Sequence, residues 1–186
     1  MSVVLDNFSR RILAWRLNET FETVTTAELL KEAAKGLPDG TVPSAVMDSG
    51  VENVNGTVNE LVSDGTIQRI LAQVDIVESN SMIEAWWRQL KHQRLYLNEL
   101  DIANSVRKFV AFYVEQYNSV VPHFAFQGQT PDEMYFGTGA NVPVDLQEKR
   151  ATARALRLAH NRALNCDLCR AKTSETSLVA IQSNTS

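Results

Sequence analysis

Cysteine is the scarcest residue in this chain: two, Cys166 and Cys169, among 186. That excludes a disulfide-stapled scaffold. Long apolar runs are missing too. The longest aromatic-rich one, residues 109–114, falls far short of the roughly 18 residues a membrane helix needs. The N-terminus has no charged region followed by an apolar one, so no secretory signal and no membrane partner are expected, and a cytoplasmic location is the default. Gly50 and Gly56 are not followed by Gly-Lys-Ser/Thr, which excludes a phosphate loop, and no G-x-S-x-G nucleophile motif occurs. What is present is ordinary for a soluble globular protein: 44% apolar and 22% charged residues, which excludes collagen and wholesale disorder. The length suits one domain, or one domain with a tail.

Negative charge is in slight excess overall, at −4. Taken alone, that argues mildly against a nucleic-acid partner. The distribution argues otherwise. Residues 17–80 carry eleven acids against three bases, residues 84–110 five bases against three acids, and residues 147–172 seven bases against two acids. A polyanion would meet the C-terminal half, whose simpler reading is a solvated, alternately charged helix face.

Hydrophobic patterning gives strands at 3–5 and 12–17, joined in a hairpin-like way. A helix over 25–35 follows, capped by Thr25 or Thr26 and stopped by Gly36, with turn chemistry at 37–40. VPSAVM (42–47) reads as a buried strand ending at Asp48, residues 54–63 as a short helix, and 67–74 as another strand. Helices are expected at 81–97, 101–118, 131–136 (Thr130 as cap, Pro131 at the first position) and 144–164, the last one basic. From about 171 the Ser/Thr-rich end is expected to be disordered. The class is α/β.

Two carboxylates stand out. Asp48 closes an apolar strand and precedes Ser49-Gly50, where open α/β sheets place ligands and metals. Glu84 lies in the first turn of a helix, with thirty-five residues between it and Asp48. Such a pair can share Mg²⁺ or Mn²⁺, which take hard oxygen ligands; alternatively, Asp48 merely ends a strand and Glu84 complements a helix N-terminus. On a helical wheel, Arg88 and Lys91 fall at about 40° and −20° from Glu84, with Leu95 near 20°. Ile83, Trp86, Trp87 and Leu90 form a separate apolar arc, so the tryptophans read as core. The two bases would hold DNA phosphates near the acid, or Arg88 would pair with Glu84 at i, i+4.

VVLDNFSRRILAW (3–15), VMDSGVEN (46–53), SNSMIEAWWRQLK (79–91), YNSVVPH (117–123) and TPDEMYFG (130–137) occur in that order. Together they resemble the catalytic core of retroviral-type integrases and bacterial insertion-sequence transposases, the D,D,35,E group. The resemblance spans residues 3 to about 137. It implies an RNase H-like mixed sheet with flanking helices, and metal-dependent phosphoryl transfer on transposon-end and target DNA by a homo-oligomer. Asp48 matches the second catalytic, metal-binding acid and Glu84 the third; Arg88 and Lys91 match DNA-contact positions. The group's first acid lies on a strand upstream of the V-x-D-x-F-S-R segment. Here that segment starts at Val3, and Asp6 belongs to the segment itself. The expectation is therefore a core lacking its first strand, first metal ligand and N-terminal end-binding domain. Its parts would be residues 1–137 as partial core, 138–170 as basic helical extension and 171–186 as tail. Val121 stands where the group often has a base, and His123 is expected to be structural.

One other signal carries less. The Cys166-Asp-Leu-Cys169 pair lacks a second pair for zinc, with His160 its one nearby supplement. Two reduced thiols is the simpler reading. The alternatives to an active transposase core are an inactive DNA-binding or oligomerising fragment, and a stand-alone RNase H-type nuclease.

Overall fold

The computed structural model describes residues 1–20, 22, 24–38, 40–76, 80–99 and 102–176, of which 165–176 are described as helix backbone. It divides into two compact units, Met1–Gly139 and the chain from Ala140 onward.

The first unit opens with a hairpin. Strands β1 (Ser2–Leu5) and β2 (Ile12–Arg16) run antiparallel, with Val3 opposite Trp15 and Val4 opposite Ala14. A bulge between Val4 and Leu5 then brings Leu5 opposite Ile12. The connecting loop is built by the Asp6–Ser9 pair: the Asp6 carboxylate accepts from both the backbone N–H (2.8 Å) and the hydroxyl (2.6 Å) of the fully buried Ser9. Arg10 turns the chain with φ 64°.

Helix α1 (Val24–Ala34) begins earlier than its threonines suggested. Thr25 sits inside the first turn, buried, and its hydroxyl accepts from Asn18 Nδ2 at 2.6 Å instead of capping. The helix packs against β1, β2 and the next helix. Strand β3 (Ser44–Met47) pairs in parallel with β4 (Gln68–Leu71) through the crossover helix α2 (Gly56–Ser63). Asn55 caps α2 by accepting from the Val58 N–H at 3.1 Å. β3 is not the buried strand its apolar run suggested. Only Ala45 and Met47 face the core, whereas Ser44 and Val46 are exposed, because the covering helices lie on one side.

The strands form two separate two-stranded sheets, β1–β2 and β3–β4, where one mixed sheet was expected. Among the described residues β1 and β3 each have a single strand neighbour. Each pair has its own apolar cluster. Ile12 joins Trp86, Leu90, Val110, Tyr113, Val114 and Tyr117, while Met47 joins Ala27, Leu30, Val58, Leu61 and Ile67.

Helix α3 (Ser81–Gln93) supplies Trp86 and Leu90 to the first cluster and ends four residues short of the expected 97. Arg94 leaves helical geometry at φ −134°, and Leu95–Leu97 form a 3-10 turn in which Leu95 packs inward rather than continuing the Glu84 stripe. Helix α4 (Ala103–Ser119) contributes Val110, Tyr113, Val114 and Tyr117. Its buried Asn118 clamps β2: the amide oxygen accepts from the Ile12 N–H at 2.9 Å, and the amide nitrogen donates to the Ile12 carbonyl at 3.0 Å.

Helix α5 (Pro131–Phe136) is specified residue by residue. Thr130 and Glu133 close a capping box, Pro131 occupies the first turn and Gly137 ends the helix at φ 68°. Asp132 binds Arg11 at 2.6 Å, and the Arg11 guanidinium lies over the Tyr135 and Phe136 rings. The second unit is dominated by one helix, α6 (Val142–Thr176), longer at both ends than expected. The expected start of the tail, residue 171, falls within it, and residues 177–186 lie outside the described residues.

Candidate functional site

Asp48 follows the last residue of β3 and is exposed. Its Oδ1 accepts from the Gly50 N–H at 3.0 Å and from Asn53 Nδ2 at 2.8 Å, so the loop fixes the carboxylate where the strand ends. Gly50 leaves room here for two flexible carboxylate tips. A Cβ on it would lie 2.9 Å from Asp48 Oδ1 and 2.8 Å from Glu52 Oε2. The carboxylates of Asp48 and Glu52 thus lean over the same bare Cα. Glu52 was not singled out in the sequence; its signal was its place four residues after Asp48, across a glycine.

Glu84 lies in the first turn of α3, exposed, with its backbone N–H donating to the Asn80 carbonyl at 3.1 Å. Arg88 is exposed one turn on and, with Ala85, Gln89, His92 and Gln93, lines a shallow hollow along the helix. Among the described residues no ion pair joins Glu84 to Arg88, so the i, i+4 bridge is not made. Lys91 is exposed as well, and its ammonium sits 5.4 Å from the centre of the Trp87 ring, a cation–π contact. Trp86 is 3% exposed and packs edge-on against Trp87 and Tyr117. It is core, as its arc predicted.

Asp48 and Glu84 are held by different clusters. β3 belongs to the one around Val58 and Leu61, and α3 to the one around Leu90 and Val110. Among the described residues no three His, Cys, Asp or Glu side chains gather closely enough to hold a metal ion. The side chains of Cys166 and Cys169 lie outside the described residues.

His123 has a packing role. Its ring stacks on Phe126 (centroids 5.6 Å apart) and meets Tyr117 edge-on, and its backbone N–H donates to the Gln129 carbonyl. Burial, helped by the Arg10 charge, lowers its pKa. No helix among the described residues is long and apolar enough to cross a membrane.

The chain is 23% identical over 133 residues to an Escherichia coli (strain K12) protein described as "Putative transposase InsK for insertion sequence element IS150". The match covers 72% of this chain and 47% of that protein, so the chain spans about half its relative's length. No family profile matches the sequence, and no solved structure matches it.

Proposed function

We propose that this chain is part of a DNA-transposition protein of the D,D,35,E type, with an RNase H-like core. The observation that carries the reading is the Asp48–Glu84 pair: one acid at the carboxyl end of a parallel strand, the other in the first turn of a helix, thirty-five residues between them. The distant likeness to a transposase supports it. So does the splitting of the strands into two pairs: among the described residues β1 and β3 each offer an unpaired ladder edge, and one further strand between them would make a single mixed sheet. That strand would carry the group's first acid.

In such a core a divalent cation, Mg²⁺ or Mn²⁺, supplies the activation of an attacking oxygen and the stabilisation of a leaving one. Asp48 and Glu84 would be its ligands, and Arg88 and Lys91 would hold DNA phosphates on the same helix stripe. The described residues do not complete the ligand set, since two separately packed acids are not a two-metal site. No catalytic step is therefore assigned to this chain. The second reading, an inactive DNA-binding or oligomerising fragment, is favoured by the long exposed basic helix α6.

The test is Mn²⁺ and duplex-DNA binding by the 186-residue chain, with Asp48→Asn and Glu84→Gln alongside. The reading expects weak Mn²⁺ binding that falls in each variant, salt-sensitive DNA binding that survives in both, and no strand transfer. Mn²⁺ binding indifferent to both substitutions removes the metal role. Full strand transfer by this chain would sink the idea that its core needs another strand.

A further inference from the structure

Helix α6 is unlike every other element of the protein. It runs for 35 residues, about 50 Å at 1.5 Å per residue. From residue 147 to 164 every side chain is exposed. A helix this polar either spans solvent or waits for a partner.

The bases on it are not scattered. Taking Arg150 as zero and about 100° per residue, Arg154 falls near 40°, Arg157 near −20° and Asn161 near 20°. The three arginines and the asparagine thus share a stripe about 60° wide, one residue per turn, over about 16 Å of helix. Asp145 and Glu148 project from the opposite side, near −140° and 160°. Lys149 and Arg162 stand well off the stripe on either flank, near −100° and 120°. Among the described residues none of these three arginines is in an ion pair. The Arg157 Nε donates to the Ala153 carbonyl at 3.3 Å, which keeps that side chain along the helix.

We infer that the Arg150–Arg154–Arg157–Asn161 stripe is a docking surface for the phosphate backbone of duplex DNA. Guanidinium groups fork onto phosphate oxygens, Asn161 adds an uncharged donor, and a polyanion with closely spaced charges meets a row of cations with no acid among them. A single α-helix also fits the major groove, about 12 Å wide, so the stripe can follow one groove wall. The inference rests on the transposition reading only in choosing DNA as the polyanion, and it deepens that reading by locating contacts away from Asp48 and Glu84.

The experiment compares two charge-matched double variants of the full chain, Arg150→Gln with Arg154→Gln on the stripe and Lys149→Gln with Arg162→Gln off it. Circular dichroism first confirms equal helix content. Binding to a 30-base-pair duplex is then measured from 50 to 200 mM salt. Losing two phosphate contacts should weaken binding about tenfold or more and flatten the slope of log K against log salt by about 1.8. The off-stripe pair should change affinity by less than about threefold, the small effect of net charge alone. Equal losses in the two doubles, no loss in the stripe double, or wild-type affinity for polyglutamate matching that for DNA would each overturn the stripe while leaving the transposition reading standing. A wild-type chain with no affinity for the duplex at 50 mM salt would overturn both.

Discussion

Asn118 shows how much one side chain holds here. Its amide completes the backbone of Ile12 from a helix, as a neighbouring strand would. Asn118→Ala leaves a buried N–H and a buried C=O unpaired and should cost about 1–3 kcal/mol for each group that water cannot reach. Asn118→Asp should be no milder, because a carboxylate cannot donate to the Ile12 carbonyl. Urea unfolding of the two variants checks both. Tyr113 makes the opposite case. Its buried hydroxyl and the Trp86 Nε1 have no hydrogen-bond partner among the described residues. Tyr113→Phe should therefore be neutral or slightly stabilising, while Trp86→Ala should cost about 3–5 kcal/mol through the cavity it leaves. His123 brings pH into the ledger. Its folded pKa lies below its unfolded value of about 6.5, so the native state prefers the neutral ring. That stability is fully present above pH 6.5 and is lost as pH falls from there through the lower folded pKa. The melting temperature should drop between pH 7.5 and 5, and less so in His123→Phe; identical pH slopes in the two proteins would exclude His123 as a source.

Among the elements, α5 is the one whose sequence says everything. Thr130, Pro131, Glu133 and Gly137 lie within eight consecutive residues, so the cap at Thr130 and the first turn at Pro131 were legible without tertiary knowledge. Thr130→Ala should cost about 1 kcal/mol, measured as a shift in the unfolding midpoint, and Glu133→Ala should lose part of the same box. Asp132 was not legible in this way, because its partner Arg11 lies 121 residues earlier. The same limit explains the sheet. Strand positions could be read from apolar runs, but pairing is non-local, and the division into β1–β2 and β3–β4 depends on which edges find partners. α1 starts at Val24, and the Thr25 hydroxyl, expected as a cap, accepts instead from Asn18, a partner outside the helix that periodicity does not reveal. Glu84 and Arg88 were placed by periodicity on the face they do occupy, whereas Leu95 left it when the helix changed to a 3-10 turn. Of the candidate site, the sequence supplied Asp48 and Glu84 but not the loop hydrogen bonds to Asp48 or the nearby Glu52, which exist only once the chain has turned at Gly50.

For the whole molecule, the division at Gly139 yields a direct expectation. Every residue of both apolar clusters precedes it, so a chain of residues 1–139 should keep the tertiary circular dichroism of the full protein and unfold at the same denaturant concentration. If α6 carries the phosphate contacts inferred above, this shorter chain should also bind duplex DNA much more weakly. A loss of tertiary signal on removing α6 would show that the long helix supports the core. Within that core β1 is the element to watch. Met1, Val3 and Leu5 pack on the cluster of Trp86 and Leu90, while Val4 packs on the cluster of Met47 and Leu61. One four-residue strand is a party wall between two rooms. A slip of one place along β2 would turn each of these side chains out of its own cluster and toward the other. Wrong registers therefore fail on both sides at once, and the two halves of the unit should melt as a cooperative whole.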